Sequence, residues 1–166
     1  CSAVTSTVVT VNPLPTPVIN ASGPLTFCAG NSVNLTASGG NTYAWSNGTN
    51  AAITNITTSG TYSVTVTDVN SCQSITSTTV TVNALPIPVI NASGPLTFCA
   101  GGSVNLTASG GNTYAWSNGT NAAITNITTS GTYSVTVTDV NSCQSITSTT
   151  VTVNALPTPV INASRQ

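Results

Sequence analysis

The chain repeats itself with a period of 71 residues, and residues 13–83 and 84–154 are two complete copies. The copies differ at only three positions, which are Pro13/Ala84, Thr16/Ile87 and Asn31/Gly102. A period this long exceeds one turn of a solenoid and suits one small domain in each copy. The repeat therefore predicts a string of nearly identical small domains.

Partial copies flank the two complete ones. Residues 1–12, CSAVTSTVVTVN, match the end of a copy, and residues 155–166 open another copy with ALPTPVINAS. We predict that residues 1–12 are the final strand of a preceding repeat and that residues 155–166 start a following one. Exposed edges of Thr- and Val-rich strands invite pairing, so these fragments are candidates for strand exchange with neighbouring chains.

Ionisable side chains are almost absent: charged residues are 2% of the chain, namely Asp68, Asp139 and Arg165, and there is no His. General acid–base catalysis ordinarily needs His, Glu, Asp or Lys, and a zinc site needs clustered Cys, His or carboxylate ligands. We therefore expect no enzymatic activity, no metal and no cofactor. The lack of a Lys/Arg surface argues against nucleic acid. Without a stretch of about 18 apolar residues, no membrane insertion is expected.

Short segments of each copy alternate apolar and polar residues, for example SVNLTAS at residues 32–38 and TYSVTVTD at residues 61–68. Turn signals such as Asn47-Gly48 separate the segments. The β-branched residues Val, Ile and Thr predominate, which favours strands over helices. The pattern predicts an all-β sandwich or barrel with about seven strands per repeat.

The order of these segments resembles that of an immunoglobulin-like domain. SVNLTA, YAW and AAITNITTSGTYSVTV follow one another as strands B, C, E and F do in that family. The resemblance implies tandem immunoglobulin-like β-sandwich domains. It also implies that Trp45 and Trp116 fill the core from strand C, and that Tyr62 and Tyr133 form a tyrosine corner at the start of strand F.

The longer pattern FCAGNSVNLTA…YAWSNG…ITNITTSGTYSVTVTDVNSC is similar to the immunoglobulin-like and PKD-like repeats of surface proteins in the Bacteroidota. This resemblance covers nearly the whole repeat. It implies export by a type IX system and a role in adhesion, gliding or filament formation. It does not identify a ligand, because a fold does not determine a function.

Five cysteines are disulfide candidates, because small extracellular domains usually need a covalent cross-link. They are Cys1, Cys28, Cys72, Cys99 and Cys143. Pairing within a repeat is one option, and bonds between chains are another. The implied immunoglobulin-like topology puts Cys28 and Cys72 at opposite ends of the sandwich, which favours pairing Cys28 with Cys143 of the next repeat.

Some residues have both a plain and a functional interpretation. A lone Trp in mid-strand favours a core position over sugar stacking. An isolated Asp favours a turn cap over a calcium site, since Ca²⁺ takes about six to eight oxygen ligands. An ice-binding surface is a third, weaker interpretation of four threonines that alternate along two strands: Thr65, Thr67, Thr79 and Thr81.

Identical copies with an uncharged polar surface suit a spacer or fibre. We predict a structural segment of an extracellular bacterial surface fibre or adhesin stalk, stiffened by Pro-rich linkers and disulfides. Copies of itself would be its main partners, in a homo-oligomer or filament. The alternative is a multivalent carbohydrate- or surface-binding adhesin module, in which many weak sites act together.

Overall fold

The computed structural model of the chain describes residues 1–161. The chain divides into two compact units, with the boundary between Asn83 and Ala84. Within the described residues all regular structure is β, with seven strands in each unit and no helix. None of these residues therefore belongs to a helix long and apolar enough to cross a bilayer.

The strands fall close to the alternating segments of the sequence. In the first unit they are β1 Val18–Ala21, β2 Thr26–Cys28, β3 Val33–Ser38, β4 Thr42–Trp45, β5 Ile53–Ile56, β6 Gly60–Thr67 and β7 Gln73–Asn83. In the second they are β8 Val89–Ala92, β9 Thr97–Cys99, β10 Val104–Ser109, β11 Thr113–Trp116, β12 Ile124–Ile127, β13 Gly131–Thr138 and β14 Gln144–Asn154.

Each unit is a sandwich of two sheets. In the first unit, one sheet has the order β1-β3-β5 and the other the order β2-β7-β6-β4, and the second unit repeats both orders. All pairs are antiparallel except β2 with β7 and β9 with β14. The predicted fold class, tandem immunoglobulin-like β-sandwich domains with seven strands per repeat, is confirmed.

The first strand of each domain is split between the two sheets. β1 pairs with β3, whereas β2 lies parallel to the last three residues of β7. Gly23-Pro24 lies between β1 and β2, and Pro24 has no N–H with which to continue a ladder. The chain therefore leaves one sheet and joins the other at this point.

The core of the first domain lies between the sheets and consists of one face of strands β3 to β7. In the first unit it contains Val33, Leu35, Ala37, Trp45, Ile56, Val64, Val66 and Val80, each at most 4% exposed. The second unit has the corresponding eight residues, including Trp116. The Trp45 indole donates its N–H to the carbonyl oxygen of Ala51 at 3.0 Å, so the buried ring leaves no unpaired donor.

The two candidate core tyrosines lie at the margin of the core rather than inside it. Tyr62 is half-buried and packs against the core cluster. Its hydroxyl donates to the carbonyl oxygen of Thr58 at 3.0 Å, which is the geometry of a tyrosine corner. Tyr133 and Thr129 repeat this contact at 3.0 Å in the second unit.

The flanking partial copies form no strand in the described part of the chain. Residues 1–12 are exposed and have no strand beside them. An isolated segment cannot form a ladder alone, whatever its propensity. The first strand expected in residues 155–166 falls partly on residues 162–166, as does Arg165, outside the described residues.

The double substitution Leu35→Ala with Leu106→Ala tests the core. Both leucines are 0% exposed, so each domain should lose about 2–5 kcal/mol of unfolding free energy through lost burial and a residual cavity. Urea denaturation followed by Trp fluorescence measures the loss. Val69→Ala with Val140→Ala is the matched control, because both valines are 81% exposed. Equal losses in the two variants would contradict this description of the core.

Candidate functional site at the poles of each domain

We take as the candidate site the pair of poles through which each domain is connected. We call the end that contains residues 16–17, 39–41 and 68–72 the linker pole. We call the end that contains residues 28–31 and 83 the distal pole. In the described residues no group of three or more His, Cys, Asp or Glu side chains is placed to hold a metal ion.

The linker pole is built around a Gly-Gly pair against which the Pro-rich linker packs. A Cβ atom at Gly39 would collide with the carbonyl oxygen of Thr16, and one at Gly40 would collide with the Val66 side chain. Gly39 also has a φ of +101°, which side-chain-bearing residues rarely adopt. The linker backbone therefore approaches the β3–β4 turn too closely for any other residue.

The second domain has the same linker contact although the linker residue differs. There Gly110, with a φ of +98°, faces the carbonyl oxygen of Ile87. Because the contact is made by the backbone of residue 16 or 87, a change from Thr to Ile leaves it intact. The difference between the copies at this position is therefore compatible with the contact.

The turn between β6 and β7 completes the linker pole and is held by Asp68. One carboxylate oxygen accepts the backbone N–H groups of Asn70 and Cys72, both at 2.8 Å. Ser71 takes a φ of 65°, and its N–H donates to the carbonyl oxygen of Asp68 at 3.2 Å. The carboxylate thus caps a tight turn, and it fixes the backbone position of Cys72.

The distal pole contains Cys28 at the end of β2, in register with Asn83 at the end of β7. The Ala29 N–H donates to the carbonyl oxygen of Asn83 at 2.8 Å. The Cys28 carbonyl oxygen accepts the backbone N–H of Asn31 at 3.2 Å. In the second copy Gly102 makes the corresponding backbone contact at 3.1 Å, so the turn forms with either residue.

The two cysteines of one domain lie at opposite poles. Cys28 is level with the last residue of β7, and Cys72 immediately precedes the first, so the 11-residue strand separates them. At about 3.3 Å per residue the separation is about 35 Å, whereas the Cα atoms of a disulfide are roughly 4.4–6.8 Å apart. Pairing within one repeat, the option that the sequence left open, is therefore ruled out by the geometry of the domain.

The cysteines also differ in state. Cys28 and Cys143 are disulfide-bonded. Cys1, Cys72 and Cys99 carry free thiols. Cys1 and Cys99 are exposed and Cys72 is partly buried.

Two other candidate features have structural roles in the described residues. Trp45 and Trp116 are each 4% exposed, so neither ring presents a face to a sugar. Thr79, one of the alternating threonines, has its hydroxyl 3.2 Å from that of Thr61 on the neighbouring strand. Within residues 1–161 no buried side-chain polar atom lacks a hydrogen-bond partner.

No family model matches the sequence, and no curated protein matches it either. Several solved structures are similar in fold. The C-terminal 282-residue fragment of intimin, solved in complex with the intimin-binding domain of the translocated intimin receptor, is 16% identical with a TM-score of 0.51. That match covers 84% of this chain and 64% of the intimin chain.

Two further structures have lower scores. The N-terminal eight immunoglobulin domains of Down syndrome cell adhesion molecule are 12% identical over 87% of this chain and 25% of theirs, with a TM-score of 0.49. The three N-terminal domains of the bacteriophage RB49 highly immunogenic outer capsid protein are 22% identical over 84% and 59%, with a TM-score of 0.38. The chain spans less than two thirds of each of the three matched proteins, and the likeness concerns the fold alone.

Replacing Gly39 by Ala, together with Gly110 by Ala, tests linker docking. The control is Gly48→Ala with Gly119→Ala, because these glycines also have positive φ, +87° and +88°, but nothing within 4 Å of a Cβ. The control substitutions should lower the unfolding free energy of each domain by about 1–2 kcal/mol, from backbone strain alone.

The variant with Gly39→Ala and Gly110→Ala should lose ~1–3 kcal/mol more unfolding free energy than the control, because the added Cβ has to displace the linker backbone. Urea denaturation gives both losses, and amide hydrogen exchange in residues 13–17 should accelerate only in this variant. Equal losses and unchanged exchange would contradict the docking of the linker.

Proposed function

We propose that this chain is a structural segment of an extracellular bacterial surface fibre or adhesin stalk, built from domains at residues 13–83 and 84–154. The observation that carries the proposal is the position of Cys28 and Cys72 at opposite poles of one domain. A cysteine at each end cannot close a domain on itself. It can only connect the domain to its neighbours.

The proposed connection is a disulfide between Cys28 and Cys143. Cys28 is disulfide-bonded and about 35 Å from Cys72 along the 11-residue strand β7, so its partner has to lie outside its own domain. Cys143 is the other disulfide-bonded cysteine. By the same rule, Cys72 and Cys99 would bond to the preceding and following copies of a longer array.

A docked linker favours the same role. Residues 13–17, PLPTP, have alternating prolines that favour an extended, semi-rigid backbone. The contact of Thr16 with Gly39 removes further freedom where the linker meets its domain. A covalent bond and a docked linker at each junction would together limit bending between neighbouring domains.

The surface chemistry suits an exposed position outside the cell. Disulfides persist in oxidising compartments and are rare in the cytosol. With only three charged residues in 166, the surface is polar through hydroxyl and amide groups, whose hydration does not change with pH near neutrality. The resemblance to Bacteroidota repeats supports a cell-surface location and export by a type IX system.

Variants that keep only two cysteines test the pairing. With Cys1, Cys72 and Cys99 changed to Ser, the remaining Cys28 and Cys143 should oxidise within a monomer and leave no titratable thiol. The matched control keeps Cys28 and Cys72, the pair within one domain, and should retain two free thiols per chain.

Thiol titration under denaturing conditions and non-reducing electrophoresis give the result. A chain that keeps Cys28 and Cys143 should also lose stability on reduction, by about 5 kcal/mol of unfolding free energy for a loop of this length. Oxidation of the Cys28 and Cys72 pair within a monomer would refute the proposal.

Binding of a carbohydrate or host surface is the competing role. The intimin fragment of similar fold binds a receptor domain, so the same architecture can present a binding surface. The chain should nevertheless give no signal on a glycan array, because its two Trp rings are buried and only three of its 166 residues are charged. Concentration-dependent binding to a defined glycan would favour the adhesin module over the stalk.

A further inference from the structure

The sheet that contains β7 has an unprotected edge. β7 is 11 residues long, but β2 pairs only with its last three residues, Thr81 to Asn83. The first eight residues, 73–80, are hydrogen-bonded to β6 on one side, and no described strand is hydrogen-bonded to them on the other. β1 approaches β7 but is paired with β3 in the opposite sheet. The other edge strands, β1, β4 and β5, are four residues long. The free part of β7 is therefore the longest open edge in the domain.

Two hydrogen bonds farther along β7 show which of its backbone groups face the open edge. The N–H of Thr81 donates to the carbonyl oxygen of Leu25, on the β2 side, at 2.8 Å. The N–H of Val82 points the other way, to the Ser59 hydroxyl at 2.8 Å. Because backbone direction alternates along a strand, the N–H and C=O groups of Ile75, Ser77 and Thr79 face the open side.

Residues 73–80 lack four of the usual devices that prevent edge pairing. Natural sheets protect their edges with Lys, Pro, bulges or very short strands. Residues 73–80 contain no charged residue and no Pro. Their register with β6 runs without interruption from Gln73↔Thr67 to Val80↔Gly60, so there is no bulge. The edge is free of bulges, neutral and rich in β-branched residues.

The chemistry of the edge selects its partner. A charged strand would lose hydration against an edge that offers no counter-charge. A neutral strand of Thr, Ser and Ile loses little, and β-branched side chains opposite one another stabilise a pair of strands. The chain carries such a strand in both copies, since residues 144–151 repeat residues 73–80. Ile75, which is 69% exposed, would gain an Ile, Ser or Thr side chain of the partner strand as a neighbour.

We infer that the open edge of β7 pairs antiparallel with the same edge of a second copy of this chain, joining two four-stranded sheets into one. The contact is isologous, so it has two-fold symmetry. It rests on the proposed fibre role and deepens it by naming the surface through which neighbouring fibres associate. Because each repeat carries one such edge, a long array would present many in series.

The test uses the full chain with Cys1, Cys72 and Cys99 changed to Ser, so that end-to-end disulfides cannot form between chains. Sedimentation velocity over a concentration series should show reversible dimers. The amides of Ile75, Ser77 and Thr79 should exchange more slowly as dimers form.

Two substitutions should block the edge without disturbing the domain. Ser77→Pro with Ser148→Pro removes only an N–H that faces the open side, because the neighbouring residues make the bonds to β6. Ile75→Lys with Ile146→Lys places a charge on the edge strand of each domain. Each pair should raise the dimer dissociation constant about tenfold or more.

The matched control is Thr65→Lys with Thr136→Lys. Thr65 lies directly opposite Ile75 in register, on the same outward face but on the inner strand β6. The control substitutions should leave the dimer dissociation constant nearly unchanged. Circular dichroism checks folding, and the Lys pair alone decides the outcome if the Pro pair does not fold.

A chain that remains monomeric at every concentration would overturn the inference. So would dimers that the edge variants leave intact, or dimers that Thr65→Lys abolishes, because the latter would place the contact on the face of the sheet. The result is independent of the disulfide test, which is scored on thiols within monomers. The two proposals can therefore fail separately.

Discussion

Eight buried apolar side chains hold the two sheets of each domain together, and every other feature of the domain is arranged around them. They come from five strands, β3 to β7, whereas β1 and β2 contribute only half-buried residues such as Ile19 and Phe27. The first strand is therefore the least constrained by the core. It is free to divide between the sheets, and the short β2 then leaves most of β7 without a neighbour on one side.

A chain with almost no charges has to complete its structure with neutral hydrogen bonds. The turn after β4 is an example: Asn47 donates to the hydroxyl of the buried Thr54 at 2.8 Å and accepts the N–H of Thr49 at 3.2 Å. The tyrosine corner at Tyr62 has the same character. Asp68, the one carboxylate of the first repeat, serves a turn in the same way, by accepting two backbone N–H groups. The bonds between neutral groups do not depend on salt, in contrast to surface ion pairs.

The connections of the domain are concentrated at its poles. The linker meets Gly39 at one end, Asp68 fixes the backbone of Cys72 at that same end, and Cys28 lies at the other. Proposals for this protein therefore concern assembly rather than chemistry. In a fibre, the proposed disulfides would join domains end to end. Pairing of the open β7 edges would join chains side by side.

The local pattern of the sequence was enough to locate most of the strands. Alternate residues of a strand lie on the same face, so a strand that packs one face in the core shows apolar and polar residues in alternation. A core position for Trp45 was also expected, because a lone Trp in mid-strand favours the core over a sugar-stacking site, and the ring is buried. The contact of Gly39 with Thr16 could not be predicted from the sequence, since it depends on where a distant segment crosses the turn.

The local pattern also could not show which strands become neighbours in a sheet. Residues 1–12 have a strand sequence and form no strand in the described structure, because a strand also needs a partner. The parallel pairing of β2 with β7, the 11-residue separation of Cys28 from Cys72 and the open edge at residues 73–80 all follow from which strands become neighbours. Hydrogen bonding between distant segments decides that, and no local pattern of side chains encodes it.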